Sequence, residues 1–320
     1  MWSLKDFHSQ RPAATLTTAR AKQIADALEI KNAAADERCT SCHAPLNSVP
    51  ANLRGEDFDV SEGVSCESCH GPAENWLRSH TRTDYTRADR TAAGMRDLQD
   101  LYVRANTCVA CHQVVSPPLL KAGHPELIFE LDGQSVAEPK HWRAEKNGNG
   151  AQAWFVGQAV ALRETSWELS REPDAPESEI NRWHALVWVM RRASSVDTNL
   201  PTPPESTLQP NVETFEQVQK WSDQLAMAAG KLSWTDGMSR DALMALAGTS
   251  ADFREPVPVA VNARRAERLV LALDRLLISQ KNADADAELN HLFKLAQSLP
   301  DFEPASFADA LDKFSNALKR

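Results

Sequence analysis

The sequence has no apolar run long enough to cross a bilayer. Its richest apolar segment, Leu269 to Ile278, is interrupted by Asp274 and Arg275, whereas a spanning helix needs about 20 predominantly apolar residues. The chain also lacks the alternation of polar and apolar residues that is typical of β-strands. Its mean hydropathy of −0.44 suits a protein that folds in water. We therefore expect a mainly α-helical protein without a membrane span of its own.

The chain has fewer basic than acidic residues. The 320 residues include 35 Lys and Arg against 44 Asp and Glu, so the formal net charge is −9. Proteins that bind nucleic acid need a basic surface, and the balance of charge therefore argues against that class. An acidic surface instead suits a partner protein that carries a basic docking patch.

Cysteine occurs at only six positions, and all six belong to one repeated pattern, Cys-x-x-Cys-His. The cysteines are Cys39 and Cys42, Cys66 and Cys69, and Cys108 and Cys111; the adjoining histidines are His43, His70 and His112. Positions i, i+3 and i+4 share one face of a helical turn. Two thiols on that face can bond the two vinyl groups of one porphyrin, while the histidine ligates its iron. We interpret the motifs as attachment sites for three haem c groups, with the histidines as proximal ligands.

Three other interpretations fit the pattern less well. A thioredoxin-like redox pair does not require histidine as the next residue in every copy. Zinc ribbons rarely carry a fixed Cys-Cys-His triplet. Disulfides between cysteines on adjacent helical turns would cross-link almost nothing.

Six histidines outside the motifs could supply distal haem ligands. The candidates, in order of preference, are His124, His8, His80 and His141. Gly123 and Pro125 restrict the backbone on both sides of His124, and aromatic residues lie next to His8. His184 and His291 lie in the C-terminal half. We expect His184 to pack between Trp rings and His291 to face solvent.

The segment Gly63 to Pro72, followed by Trp76 and His80, resembles the multihaem cytochromes of the cytochrome c-554 family. These are relatives of the haem arrays of hydroxylamine oxidoreductase and cytochrome c nitrite reductase. The resemblance covers residues 1–142. It implies electron transfer in the periplasm, closely stacked haems and mostly bis-histidine ligation. It also implies one haem with an open distal position, which by chain order is the haem of Cys39, Cys42 and His43.

One departure from the family concerns the N terminus. Family members normally carry a further Cys-x-x-Cys-His motif shortly before the residue that matches Trp2. The corresponding haem is lost here, or a fourth haem belongs to residues upstream of Met1, and His80 matches its distal ligand. Because haem c is attached outside the cytoplasmic membrane, we expect a periplasmic or extracellular protein whose signal peptide precedes or was removed from this chain.

The predicted organisation has three parts. Residues 1–195 form a multihaem cytochrome c domain with little regular β-structure, and its haem motifs lie within 36–142. Residues 196–211 form a Pro-rich linker, and residues 212–320 form a helical C-terminal region. The haem-bearing part has few long apolar stripes, so porphyrins would have to supply much of its interior.

The favoured function is that of a trihaem electron carrier that serves redox partner proteins. One alternative is an oxidoreductase of a small nitrogen or sulfur compound, with one five-coordinate haem and with Glu67 or Asp84 as acid or base groups. The other alternative is a docking subunit of a larger redox complex, with residues 212–320 as its interface.

Overall fold

The computed structural model describes residues 5–56, 58–59, 61–139, 150–172, 174–205, 209–278, 282–298 and 301–319. Within these ranges every regular element is a helix and no strand occurs, which confirms the predicted mainly α-helical class. Among the same residues, no helix combines the length and the apolar character needed to cross a bilayer.

The chain divides into two compact units. The N-terminal unit comprises Met1–Phe129 and Gly133–Lys146, and the C-terminal unit comprises Glu130–Asp132 and Asn147–Arg320. This division differs from the one predicted at residues 196–211. The physical reason is that the helices on both sides of that Pro-rich segment pack into the same compact unit.

Short helices joined by turns build the first part of the chain. They are α1 (Phe7–Thr15), α2 (Ala19–Ala27), α3 (Glu37–His43), α4 (Cys66–His70), α5 (Arg87–Ala92), α6 (Leu101–His112), α7 (Pro117–Lys121) and α8 (Leu131–Ala137). Each Cys-x-x-Cys-His motif occupies the C-terminal end of one of them, namely α3, α4 or α6.

Polar caps start the three motif helices. The side chain of Asp36 accepts a hydrogen bond from Arg38 N at the start of α3, and Asp100 accepts from Tyr102 N and Val103 N at the start of α6. At the start of α4 the side chain of Ser68 accepts a hydrogen bond of 3.2 Å from Ser65 N. Such caps satisfy backbone N–H groups that have no intrahelical partner. Helical geometry is thereby secured in segments that are too short to form stable helices alone.

Longer helices build the C-terminal unit. They are α9 (Gly150–Leu169), α10 (Glu177–Ala193), α11 (Val212–Lys231), α12 (Asp236–Ala247), α13 (Val259–Leu277), α14 (Ala283–Ala296) and α15 (Pro304–Ala317). Helix α9 packs along α11, and α10 packs along α13. Their apolar stripes enclose Trp154, Phe155 and Trp183, each of which is at most 1% exposed. The unit therefore has the core that its amphipathic helices require.

The two units differ sharply in how much apolar surface they bury. Among the described residues, the N-terminal unit has eleven buried apolar side chains, of which five are alanines, whereas the C-terminal unit has fifty-one. A unit of this size normally needs a larger interior to offset the conformational entropy that folding removes. The N-terminal polypeptide therefore buries too little apolar surface to form a stable interior of its own.

A buried carboxyl predicts a pH dependence for the C-terminal unit. Burial raises the pKa of Glu130 from 4.5 to about 7, and Gln158 donates a hydrogen bond of 3.0 Å to its Oε1. Because the folded state holds this proton more tightly than the unfolded chain, the unit loses stability as the pH rises through that range. We expect the free energy of unfolding in urea to fall by about 3 kcal/mol between about pH 4.5 and pH 8.

The Glu130→Gln variant will have a shallower pH profile, because its side chain cannot ionise and only the other titrating groups still contribute. Burial also raises the pKa of Glu168 to about 7, and that residue is retained in both proteins, so the difference between their profiles reports Glu130 alone. Parallel profiles for the two proteins would contradict the prediction.

Candidate haem-attachment sites

The six cysteines are all free thiols, at partly exposed or exposed positions. The thiols of the first and third motifs meet: Cys111 donates a hydrogen bond to Cys42, which lowers the pKa of Cys42 to about 6 and raises that of Cys111. Burial raises the pKa of Cys69 to about 11 and that of Cys108 to about 12. The motifs therefore lie near one another, although 27 to 69 positions separate them along the chain.

The thiols do not form a ready-made zinc site in the described part of the chain. There, the group of three potential metal ligands that lie together consists of Asp6, His8 and Glu138 and includes no cysteine. A structural zinc site would bring four nitrogen or sulfur ligands around one point.

The Nδ1 atom of each predicted proximal histidine lies within hydrogen-bond distance of a polar atom. In His43 it lies 2.9 Å from the carbonyl oxygen of Pro12, and in His70 it lies 3.4 Å from that of Arg96. In His112 it lies 3.2 Å from the side-chain amide of Gln134. An Nδ1–H that donates to a fixed oxygen sets the tautomer and leaves Nε2 unprotonated, as a metal ligand requires.

The Gln134 amide can complete this pattern for His112. As placed, its nitrogen faces Nδ1 while its buried oxygen has no hydrogen-bond partner. Nitrogen and oxygen of an amide are interchangeable by a rotation of half a turn. With the oxygen toward His112, Nδ1–H donates to it and Nε2 remains available.

His8 lies opposite His112. Their ring centres are 6.0 Å apart and the ring planes make an angle of 85°. Two imidazoles that ligate opposite faces of one metal have ring centres about 6 Å apart, since each metal–nitrogen bond is about 2 Å long. The carboxylate of Asp6 accepts from the Nδ1 of His8 at 3.0 Å. The spacing fits one iron between His8 and His112.

His124 lies opposite His43 with a similar spacing. Their ring centres are 6.4 Å apart and the planes make an angle of 73°. Arg20 donates two hydrogen bonds to the carbonyl oxygen of Gly123, which ties the His124 turn to α2. Gly123 has a φ of +102°, a conformation that favours glycine. The resemblance implies an open position on the haem of His43, whereas this spacing favours a second ligand for it.

Two further predicted ligands have different settings. The Nδ1 of His80 lies 2.7 Å from the carbonyl oxygen of Leu77, and its ring contacts the buried Trp76, whose other neighbour is His70. Trp76 thus contacts both imidazoles. His141 lies outside the described residues.

The remaining histidines lie in the C-terminal unit. The ring of His184 contacts Trp183 at 4.9 Å, and burial lowers its pKa. His291 is exposed on α14. Both positions agree with packing and solvent-facing roles.

Glu67 and Asp84, the two candidate acid and base groups, each contact another part of the chain. Oε1 of Glu67 accepts a hydrogen bond of 2.7 Å from the backbone N–H of Ala73. Asp84 forms an ion pair with Arg82 on the surface. Glu67 therefore caps backbone, and Asp84 lies in an exposed ion pair with Arg82.

Sequence reasoning did not find four residues that hold the histidines in place: Asp6, Pro12, Arg20 and Gln134. Only Asp6 carries a local signal, since an aspartate before a helix is a typical N-cap and lies two positions from His8. The other three act through contacts with residues distant in sequence.

Each motif combines two free thiols with a histidine whose Nδ1 atom has a hydrogen-bond partner. These features define the class of site as one that fits covalently bound haem c. Residues 1–71 match the family model of cytochrome c554 and c-prime, so this segment is similar to that family. The match includes the first two Cys-x-x-Cys-His motifs and supports a c-type cytochrome role in electron transfer. Neither a curated protein nor a solved structure matches the chain.

Proposed function

We propose that the N-terminal unit binds three haem c groups and passes electrons among them. Each haem is held by one pair of thioether bonds, with His43, His70 or His112 as its proximal ligand. His8 is the distal ligand of the haem on Cys108 and Cys111, and His124 is that of the haem on Cys39 and Cys42. The ligation of the haem on Cys66 and Cys69 is assigned on its proximal side only.

The observation that carries this proposal is the pair of opposed imidazole couples, His8 with His112 and His43 with His124. The ring spacings of 6.0 and 6.4 Å match two ligands on one metal. In each couple a hydrogen-bond partner engages Nδ1, so Nε2 remains the atom available to iron. A surface histidine pair without a cofactor has no need of this arrangement.

The haem group supplies reversible one-electron chemistry when bound. The chain contributes rigid ligand positions: Pro12, Arg20 and Asp6 hold imidazoles or the turns that carry them. Ligands held on both faces of the two haems served by the imidazole couples would leave no position for substrate there. That combination suits a carrier.

We further propose that the protein works in the periplasm or outside the cell, where c-type haem is attached. Its net charge of −9 favours redox partners that present a basic patch to it. The C-terminal unit, with its complete apolar core, serves as a folded attachment to the electron-carrying unit.

Two measurements test the proposal on the exported protein. A pyridine haemochrome assay is expected to give three covalent haems per chain. The His124→Ala variant is expected to gain carbon monoxide binding at one haem in the reduced state, because its sixth ligand is removed. His291→Ala, an exposed histidine in the C-terminal unit, is the matched control and will leave the spectrum unchanged.

A protein without covalent haem would refute the proposal. An unchanged carbon monoxide response in His124→Ala would refute the ligand assignment. A haem that binds carbon monoxide in the unaltered protein would favour the oxidoreductase alternative.

A further inference from the structure

The distal ligand His8 differs from the other histidines of the N-terminal unit in the partner of its Nδ1. His43, His70, His80 and His124 each have a backbone carbonyl oxygen within hydrogen-bond distance of Nδ1, and His112 has an amide. All of these partners are neutral. His8 instead donates to Oδ1 of Asp6 at 3.0 Å.

The Asp6 carboxylate is built into the fold. Its side chain is 1% exposed, against 35% for His8. Oδ1 also accepts the backbone N–H of His8 at 2.9 Å, which makes Asp6 the N-cap of α1. Two hydrogen bonds on one oxygen prevent the carboxylate from turning away from the imidazole. Oδ2 is buried without a hydrogen-bond partner, so no other donor offsets its charge there.

A carboxylate on the outer nitrogen of a ligating imidazole raises the basicity of the inner nitrogen. A more basic ligand, together with a fixed negative charge nearby, stabilises ferric over ferrous iron. Because the carboxylate is buried, solvent screens this effect little.

We propose that Asp6 is a positioning residue that gives the haem of Cys108, Cys111 and His112 a lower potential than the haem of the His43 and His124 couple. The inference rests on the proposed function, in which His8 ligates the first of these haems. It assigns a direction to electron flow between the two: the haem of His112 is the later to become reduced and the earlier to pass an electron to an acceptor. The haem of the His43 and His124 couple, whose Nδ1 partners are neutral, lies above it in potential.

The Asp6→Asn variant tests this on the haem-loaded protein, by spectroelectrochemical titration. Asparagine is an N-cap of similar strength, so α1 is retained while the charge is removed. We expect the haem of Cys108, Cys111 and His112 to shift toward easier reduction by tenfold or more in its redox equilibrium constant, which is about 59 mV for one electron. Electron paramagnetic resonance of the ferric protein should show altered g-values for that haem alone.

Asp100→Asn is the matched control, since Asp100 caps α6, the helix that carries Cys108 and Cys111, through Tyr102 N and Val103 N. It removes a charge and alters a cap on the same haem segment, yet is expected to leave all three potentials within a factor of two in equilibrium constant. Should Asp6→Asn fail to accumulate, Asp6→Ser supplies an alternative neutral cap, for which the same shift is expected.

His8→Met identifies the affected haem. Methionine ligation raises the potential of the haem it serves, and Asp6→Asn should then give a smaller shift in that background than in the unaltered protein, because only the through-space effect of the charge remains. Unchanged potentials in Asp6→Asn, or an equal shift with Asp100→Asn, would overturn the inference while three haems and a low-spin spectrum still upheld the proposed function. Absence of covalent haem would instead remove the proposed function itself.

Discussion

Without haem, the N-terminal unit will fail to fold and the C-terminal unit will remain folded. The polypeptide of the N-terminal unit buries eleven apolar side chains within its described residues, and its small cluster of Ala25, Ile30 and Ala33 lies against Cys39, a proposed haem-attachment residue. That interior is too small to offset the entropy of ordering a unit of this length. The fifty-one buried apolar residues of the C-terminal unit have no such need.

Protein produced in a cytoplasm that lacks haem c maturation provides the measurement. Limited proteolysis with mass spectrometry should show digestion across residues 1–146 and survival of a fragment close to 147–320. The haem-loaded protein, digested in parallel, should protect both units. Equal protection of residues 1–146 with and without haem would show that the polypeptide supplies its own core.

Gly63→Ala will destabilise the N-terminal unit and disturb two haem sites together. A Cβ on Gly63 would lie 3.0 Å from Ala13 N, 3.0 Å from His43 O and 3.1 Å from His8 O. All three are backbone atoms, which cannot give way as a flexible side chain does. Gly63 N also donates to Ser9 O at 2.8 Å, so the segment cannot move out. We expect a loss of about 1–3 kcal/mol in the free energy of unfolding.

The histidines explain why the effect should extend to the haems. His8 and His43 belong to different imidazole couples, and the added methyl group presses on the backbone of both. Optical spectra of the ferric variant should gain a high-spin component, since a displaced distal ligand weakens its bond to iron. Gly55→Ala is the control, because a Cβ there has no atom within 4 Å. A stability loss of the same size in both variants would refute the explanation.

The positions of the three motifs were predictable because their geometry is local. Cysteine, cysteine and histidine at i, i+3 and i+4 share a helical face whatever the rest of the chain does. The structure places each motif in the last turn of a capped helix. The turn at Gly123 beside His124 could also be predicted, since glycine tolerates the positive φ that this turn adopts.

The division of the chain into two compact units could not be predicted from local sequence in the same way. The Pro-rich residues 196–211 have the composition of a linker, yet the helices α10 and α11 on either side of them belong to one compact unit. Proline restricts the local backbone but does not decide which helix faces bury one another. Packing of α9 along α11 decides that, and it depends on apolar surfaces far apart in sequence.

The sequence by itself determined the helical class and the grouping of two thiols and one imidazole on each motif turn, because each depends on neighbours within one helical turn. Tertiary structure alone decided that His8 faces His112 and that His43 faces His124, residues more than 80 positions apart in each couple. It also brought Gln134 to His112 and left the Asp6 carboxylate buried against His8. Burial and opposition of this kind arise only when distant segments pack, since no local pattern encodes which surfaces will meet.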